Sequence, residues 1–299
     1  MPAPWTAERV VSPAEALALV AAAHPSLSAS RIEALGEGWD NTAYLVDDTW
    51  VFRFPRRQIA VELIEIESRV LPAIAGRLPL PIPVPELLGE PSESFPWPFS
   101  GYRRLHGRTA DRAALDPTRK AALAEPLAEF LAALHAVDGR ATGAPVDTLA
   151  RTNTERVVPV VRSGLEAAVA AGLIDDLRPY EPLLAQVHGP LPPRAVLVHA
   201  DLYVRHVLVD DASRACGVID WGDVHLGHPG LDLALAFSLL PPSARSRFAR
   251  AYGPIDDESW ALGRQRGLLY GAVLCAYGLD IGDSALVAEG QQALRWVLE

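Results

Sequence analysis

Seven prolines fall within the twenty residues from Pro79 to Pro98. A proline supplies no backbone N–H and fixes φ, so this span cannot continue a helix and can only edge a sheet. It therefore divides the chain, and the hydrophobic periodicity differs on its two sides. Before it, Arg31–Leu35, Thr42–Val46 and Thr49–Phe54 read as strands, with Asp47-Asp48 as a turn. Two helices flank them. One runs from Pro13 to Ala23, with Ser12 as N-cap and Glu15 placed to close a capping box. The other spans Gln58 to Gly76, with Ile59, Leu63, Ile66, Val70 and Ile74 on one face. Within the proline span short strands are expected near Val84–Leu88 and at Phe99–Leu105. A long buried helix is expected over Pro117–Val137, and helices dominate from there to the C-terminus. The exception is Ala195–Trp221, where the apolar runs Val196–Val198, Val207–Val209 and Gly217–Ile219 alternate with loops.

The pattern predicts an α+β fold of two lobes: a β-rich N-terminal lobe, residues 1–100, and a mostly helical C-terminal lobe, residues 101–299. The default ligand site is the cleft between them. At 299 residues the chain is long enough for both lobes.

Charge narrows the function. The formal net charge is −10, and a nucleic-acid binder needs a concentrated basic face instead. Residues 140–195 are balanced, with six acids and six bases. Cys216 and Cys275 lie far apart in apolar surroundings, unlike a disulfide framework or thiolate metal site. Met1–Trp5 lacks the order of a signal peptide, and the most apolar stretch, Gly267–Leu279, is too short to cross a bilayer, so a cytoplasmic protein with no membrane partner is expected.

The chemistry concentrates between Ala195 and Asp223. His199, Asp201 and His206 follow an apolar strand, and a hairpin returns the chain to Asp220. Oxygen and imidazole ligands at strand ends suit a hard divalent cation on phosphates, and a separate carboxylate can accept a proton from a hydroxyl. The tripeptide His-x-Asp alone carries no weight; the order strand, His-x-Asp, ligand, hairpin, Ile-Asp-Trp does. Asp223 and Asp232 read as turn and cap residues, His225 and His228 as structural, and His135 as a core histidine.

From Leu35 to about Trp296 the chain resembles the antibiotic phosphotransferases, the aminoglycoside and macrolide kinases of protein-kinase-like fold. The resemblance implies that Asp201 is the catalytic base, that His199 braces its loop, and that Asp220 binds Mg2+. His206 stands where most members have an asparagine metal ligand, as in the macrolide kinases, and its nitrogen admits Mn2+ as well. Leu35-Gly-Glu-Gly-Trp-Asp-Asn41 resembles the phosphate loop, with Gly36, Gly38 and Asn41 as nucleotide contacts; Trp39 shields the nucleotide or packs. The family's strand lysine is replaced by Arg53, since the only lysine is Lys120. Guanidinium holds phosphate bidentately, but the exchange is not conservative. Glu67 is expected to pair with Arg53, with Glu62 as rival. Phe99–Leu105 resembles the hinge that meets the purine, through Gly101 and Arg103.

The resemblance implies a kinase that transfers the γ-phosphoryl of ATP or GTP to a hydroxyl of an antibiotic-like small molecule. The acceptor region is placed at about 140–195 and 242–298. The neutral charge of 140–195 points to a macrolide or nucleoside antibiotic ahead of a polycationic aminoglycoside. A metabolic small-molecule kinase, a metal-dependent hydrolase using His-x-Asp-x4-His, and a non-catalytic nucleotide binder remain as alternatives.

Overall fold

The computed structural model describes residues 7–38, 40–186, 188–192 and 194–299; Trp39 lies outside them. The chain divides into two compact units. The first comprises Met1–Gly76, Ile82–Leu105 and Asp220–Asp223, and the second Arg77–Pro81, His106–Ile219 and Val224–Glu299. The N-terminal unit thus ends five residues beyond the expected boundary and takes in a four-residue segment from the far end of the sequence.

The first unit is built on five antiparallel strands: β1 (Ile32–Glu37), β2 (Asn41–Val46), β3 (Trp50–Pro55), β4 (Leu87–Gly89) and β5 (Phe99–Arg103), in the order β1-β2-β3-β5-β4. β1 continues through Gly36 with a register shift between Ala34 and Gly36, so the glycine segment begins inside the strand. Helix α1 (Pro13–Ala23) has the expected bounds. Ser12 caps it by accepting the Glu15 N–H, but the Glu15 side chain pairs with Arg9 at 2.6 Å instead of closing a capping box. Val20, Phe52, Phe54, Phe95 and Phe99 form the core, with Phe54 stacked on Phe99 at 4.7 Å.

Helix α2 (Ile59–Ile74) buries Ala60, Ile64, Ile66, Glu67, Val70, Leu71 and Ile74. Of the expected stripe, Ile66, Val70 and Ile74 are buried, Leu63 is half-buried and Ile59 is exposed. Glu67 joins the buried face, where it meets a cation on β3. Apolar periodicity alone places a glutamate outside.

In the second unit β6 (Arg108–Thr109), β8 (Val207–Val209) and β9 (Ala215–Val218) form one small sheet. β7 (Val196–Val198) pairs with β10 (His225–Gly227) in another. β10 begins at His225 and is a strand that periodicity did not reveal. The helix expected over Pro117–Val137 is two helices, α3 (Pro117–Ala122) and α4 (Ala124–His135). Pro126 explains the break: it has no N–H for the carbonyl of Ala122, where α3 ends. Next come α5 (Thr154–Ala170), α6 (Glu181–Leu184), α7 (Leu235–Ser238), α8 (Pro242–Tyr252), α9 (Asp257–Ile281) and α10 (Ser284–Trp296). α9 packs along α5, α10 and the 3-10 turn Pro229–Ala234. Both thiols are free. Among the described residues no helix is long and apolar enough to cross a membrane.

Candidate active site

Strand β7 delivers the chain into His199-Ala200-Asp201, and three anchors fix this loop. The first is Asp232, fully buried in the 3-10 turn that follows β10. Its Oδ2 accepts the N–H of His199 at 2.9 Å and its Oδ1 that of Ala200 at 2.7 Å. Oδ2 also meets His135 Nε2 at 3.0 Å. Burial pushes the Asp232 carboxyl up, but His135, the His199 imidazole and the His199 N–H together hold it below the usual carboxylate range. Ala200 takes φ 67°, a left-handed conformation costly for a residue with a Cβ.

His199, fully buried, is the second anchor. Its Nδ1 accepts the Asp201 N–H at 3.3 Å, so a neutral ring carries its proton on Nε2, which donates to the Ile219 carbonyl at 3.0 Å. Ile219 is also tied to His206 through its own N–H, at 2.9 Å, and immediately precedes Asp220. With both ring nitrogens bonded, His199 is not placed as a zinc ligand, which weighs against the hydrolase alternative. The third anchor comes from α9, where Arg266 Nη2 approaches the Ala200 carbonyl at 3.3 Å and the Tyr270 hydroxyl lies 3.2 Å from Asp201 Oδ1.

His206 Nδ1 lies 2.6 Å from the Asp201 carbonyl oxygen. A carbonyl only accepts, so Nδ1 carries the proton and the lone pair of the neutral ring is on Nε2. Among the described residues no group of three or more His, Cys, Asp or Glu side chains is arranged to hold a metal ion. The donors nevertheless suit Mg2+ or Mn2+, which takes one or two protein ligands and completes its shell with phosphate and water.

The first unit holds a separate constellation. Arg53 on β3 is buried, and its Nη1 donates to both oxygens of Glu67, at 2.8 and 2.6 Å. Its Nη2 donates to Asp220 Oδ1 at 3.1 Å. Burial works against this cation, but Glu67 and Asp220 outweigh it and hold the guanidinium more firmly charged than usual. Glu62, the rival partner, is exposed. Asp220 is half-exposed and adopts φ 64°.

The remaining nucleotide-contact expectations fare differently. A Cβ at Gly36 would meet nothing within 4 Å, whereas at Gly38 it would lie 3.6 Å from the Asn41 carbonyl. Gly38 N–H donates to that same oxygen at 2.9 Å, and Arg56 donates to the Gly38 carbonyl at 2.7 Å. Asn41 Oδ1 is buried with no hydrogen-bond partner among the described residues. Gly101 sits between β3 and β4, where a Cβ would come within 2.5 Å of the Phe52 ring, and its carbonyl accepts the Glu86 N–H. Packing alone therefore accounts for that glycine, and its carbonyl is committed to the protein. The Arg103 guanidinium stacks on Trp50 at 4.6 Å and approaches Glu86 at 3.4 Å.

Sequence reasoning missed Tyr270 and Arg266 and took Asp232 for a cap. The acid following Gly230 in a buried, apolar segment was the one available signal for Asp232; nothing local marks the other two.

A sequence profile of the Phosphotransferase enzyme family matches residues 31–265. The uncharacterized protein YcbJ of Bacillus subtilis (strain 168) is 23% identical over 273 residues, covering 85% of this chain and 83% of its own. The GDP complex of wild-type aminoglycoside 2'-phosphotransferase-IIIa superimposes with a TM-score of 0.69 at 26% identity, covering 96% of this chain and 98% of that one. The apoenzyme of macrolide 2'-phosphotransferase MphH from Brachybacterium faecium gives a TM-score of 0.57 at 25% identity, covering 92% and 98%.

Proposed function

Because the chain belongs to the Phosphotransferase enzyme family, we propose that it transfers the γ-phosphoryl group of ATP or GTP to a hydroxyl of a neutral, bulky, antibiotic-like acceptor. The observation that carries this reading is the clamped carboxylate of Asp201. Two buried backbone N–H bonds to Asp232 and one to the His199 ring set its loop, so the backbone that carries the carboxylate is fixed in advance. Asp201 then orients the acceptor hydroxyl and accepts its proton as the oxygen attacks phosphorus.

Arg53, kept in place by Glu67, neutralises charge on the nucleotide phosphates. Asp220 and His206 Nε2 would hold the divalent cation, which when bound neutralises phosphate charge and orients the transferring group. Gly38 and Asn41 would contact the phosphates. The purine would be met by backbone beyond Gly101.

A neutral acceptor is favoured over a polycation by the pairing of acids in the expected acceptor region. Asp147 meets Arg151 at 2.9 Å, Glu181 meets Arg162 at 2.8 Å, and Asp176 meets Arg178 at 2.8 Å. Each pair leaves little net field for a cationic sugar. Arg266 adds a buried cation beside the Asp201 loop.

The test is nucleotide consumption with Mg2+ against macrolides, nucleoside antibiotics, aminoglycosides and simple metabolites, with Asp201→Asn as control. Phosphorylation of a neutral acceptor, abolished in Asp201→Asn, is expected. Turnover of kanamycin alone overturns the acceptor assignment, and turnover surviving in Asp201→Asn overturns the role of that carboxylate.

A further inference from the structure

Asp201 ends in a carboxyl group on an sp3–sp2 bond, a torsion with broad, two-fold preferences. Clamping the loop backbone leaves this last rotation unset. His206 Nδ1 lies 3.6 Å from Oδ2, and Tyr270 is placed to hold the other oxygen. Tyr270 lies on α9, buried, with its ring stacked on Tyr203 at 5.1 Å between centroids and 17° between planes. Its hydroxyl is 3.2 Å from Asp201 Oδ1 and 3.4 Å from the Ala200 carbonyl.

Arg266, one turn earlier on the helix, directs Nη2 at the Tyr270 oxygen and at the Ala200 carbonyl, both at 3.3 Å. A guanidinium only donates, so the tyrosine oxygen accepts from Arg266 and has one proton to give. Between a neutral carbonyl already approached by Arg266 and a nearer ionised carboxylate, the charge-assisted bond prevails. The resulting relay runs from Arg266 through Tyr270 to Asp201 Oδ1. Burial, with the Asp201 charge beside it, raises the Tyr270 hydroxyl well above its ordinary value, so it remains a donor.

We propose that Tyr270 is a positioning residue for the transfer: by anchoring Oδ1 it fixes the plane of the Asp201 carboxylate and hence the direction in which the acceptor hydroxyl is held. Arg266 orients the Tyr270 hydroxyl in turn. The inference rests on the reading of Asp201 as the base. Tyr270 exchanges no proton with substrate; its effect is on geometry alone, where a misaligned base lowers the rate without weakening ground-state binding.

Tyr270→Phe tests this, because it keeps the stacked ring and removes a single oxygen. In the full chain, with an acceptor the wild type phosphorylates, kcat is expected to fall about tenfold or more, with both KM values unchanged within about twofold. The urea midpoint and nucleotide affinity, measured in the same variant, are expected to stay near wild type. Unchanged kcat overturns the proposal, as does a kcat loss accompanied by a matching rise in KM or a collapsed midpoint, which would mark a merely structural side chain. Arg266→Met is expected to lower kcat in the same sense by less. If the wild type and Asp201→Asn behave as the kinase reading requires while Tyr270→Phe is fully active, only the Tyr270 role fails. If the wild type phosphorylates nothing, the proposal falls with that reading.

Discussion

Nη1 of Arg53 donates to both carboxylate oxygens of Glu67, and the two side chains are only 10% and 3% exposed. A buried pair of this kind is costly to break and cheap to replace as a whole, because removing one partner leaves an uncompensated charge.

Arg53→Met or Glu67→Leu alone is therefore expected to destabilise the protein by about 3–5 kcal/mol, read by urea denaturation. The double variant is expected to recover most of that loss. Nucleotide affinity separates the two roles: every variant lacking Arg53 is expected to bind nucleotide weakly, including the double variant of restored stability.

Asp232→Asn is expected to cost about 1–3 kcal/mol, since its amide turns an N–H toward one of two buried backbone donors. The cost depends on pH with a defined sign. The Asp232 carboxyl is held below its ordinary 3.8, so on acidification the unfolded chain takes up the proton first. Its stabilisation is complete above that value and is lost as pH falls through the lower folded one. Urea midpoints at about pH 7 and 5 should show a constant gap between wild type and variant, and the gap should narrow below about pH 4.

Ala200 holds φ 67° between two anchors. Ala200→Gly removes the clash of Cβ with its own backbone and is expected to stabilise the protein by about 0.5–1 kcal/mol, net of the added freedom of the unfolded chain. A raised urea midpoint checks this, and a lowered one would mean that the buried methyl matters more than the strain.

Lys120, the only lysine, is 1% exposed and donates to Glu289 and Gln292 over the face of Trp296. An amine-directed reagent is expected to leave Lys120 unmodified in the folded protein and to label it after denaturation, as peptide mass mapping would show. Lys120→Met leaves Glu289 without its cation and is expected to destabilise by about 3 kcal/mol.

How far the site could be read in advance depends on how local its interactions are. His199, Asp201, His206 and Asp220 stand within one strand–loop–hairpin segment, so their spacing exposed them. Arg53 and Glu67 lie 14 residues apart on adjacent elements, and it was the family resemblance, not the apolar pattern, that suggested the pair. Asp232 reaches back 33 residues and Tyr270 69. Locally, an acid in a short turn reads as a cap, and a tyrosine on α9, which is buried over much of its length, reads as core.

The sequence by itself determined the strand-rich first part and the mostly helical remainder, through periodicity and proline placement, and it singled out the loop of His199 and Asp201 as the candidate site. The tertiary structure decided the rest. It put Glu67 on the buried face of α2, ended α3 at Ala122, packed Gly101 against Phe52, and brought Asp232, Arg266 and Tyr270 to the loop of Asp201. Periodicity reports only whether a face is buried. What a buried polar group touches is set by the requirement that it find a partner, and here those partners come from distant parts of the chain.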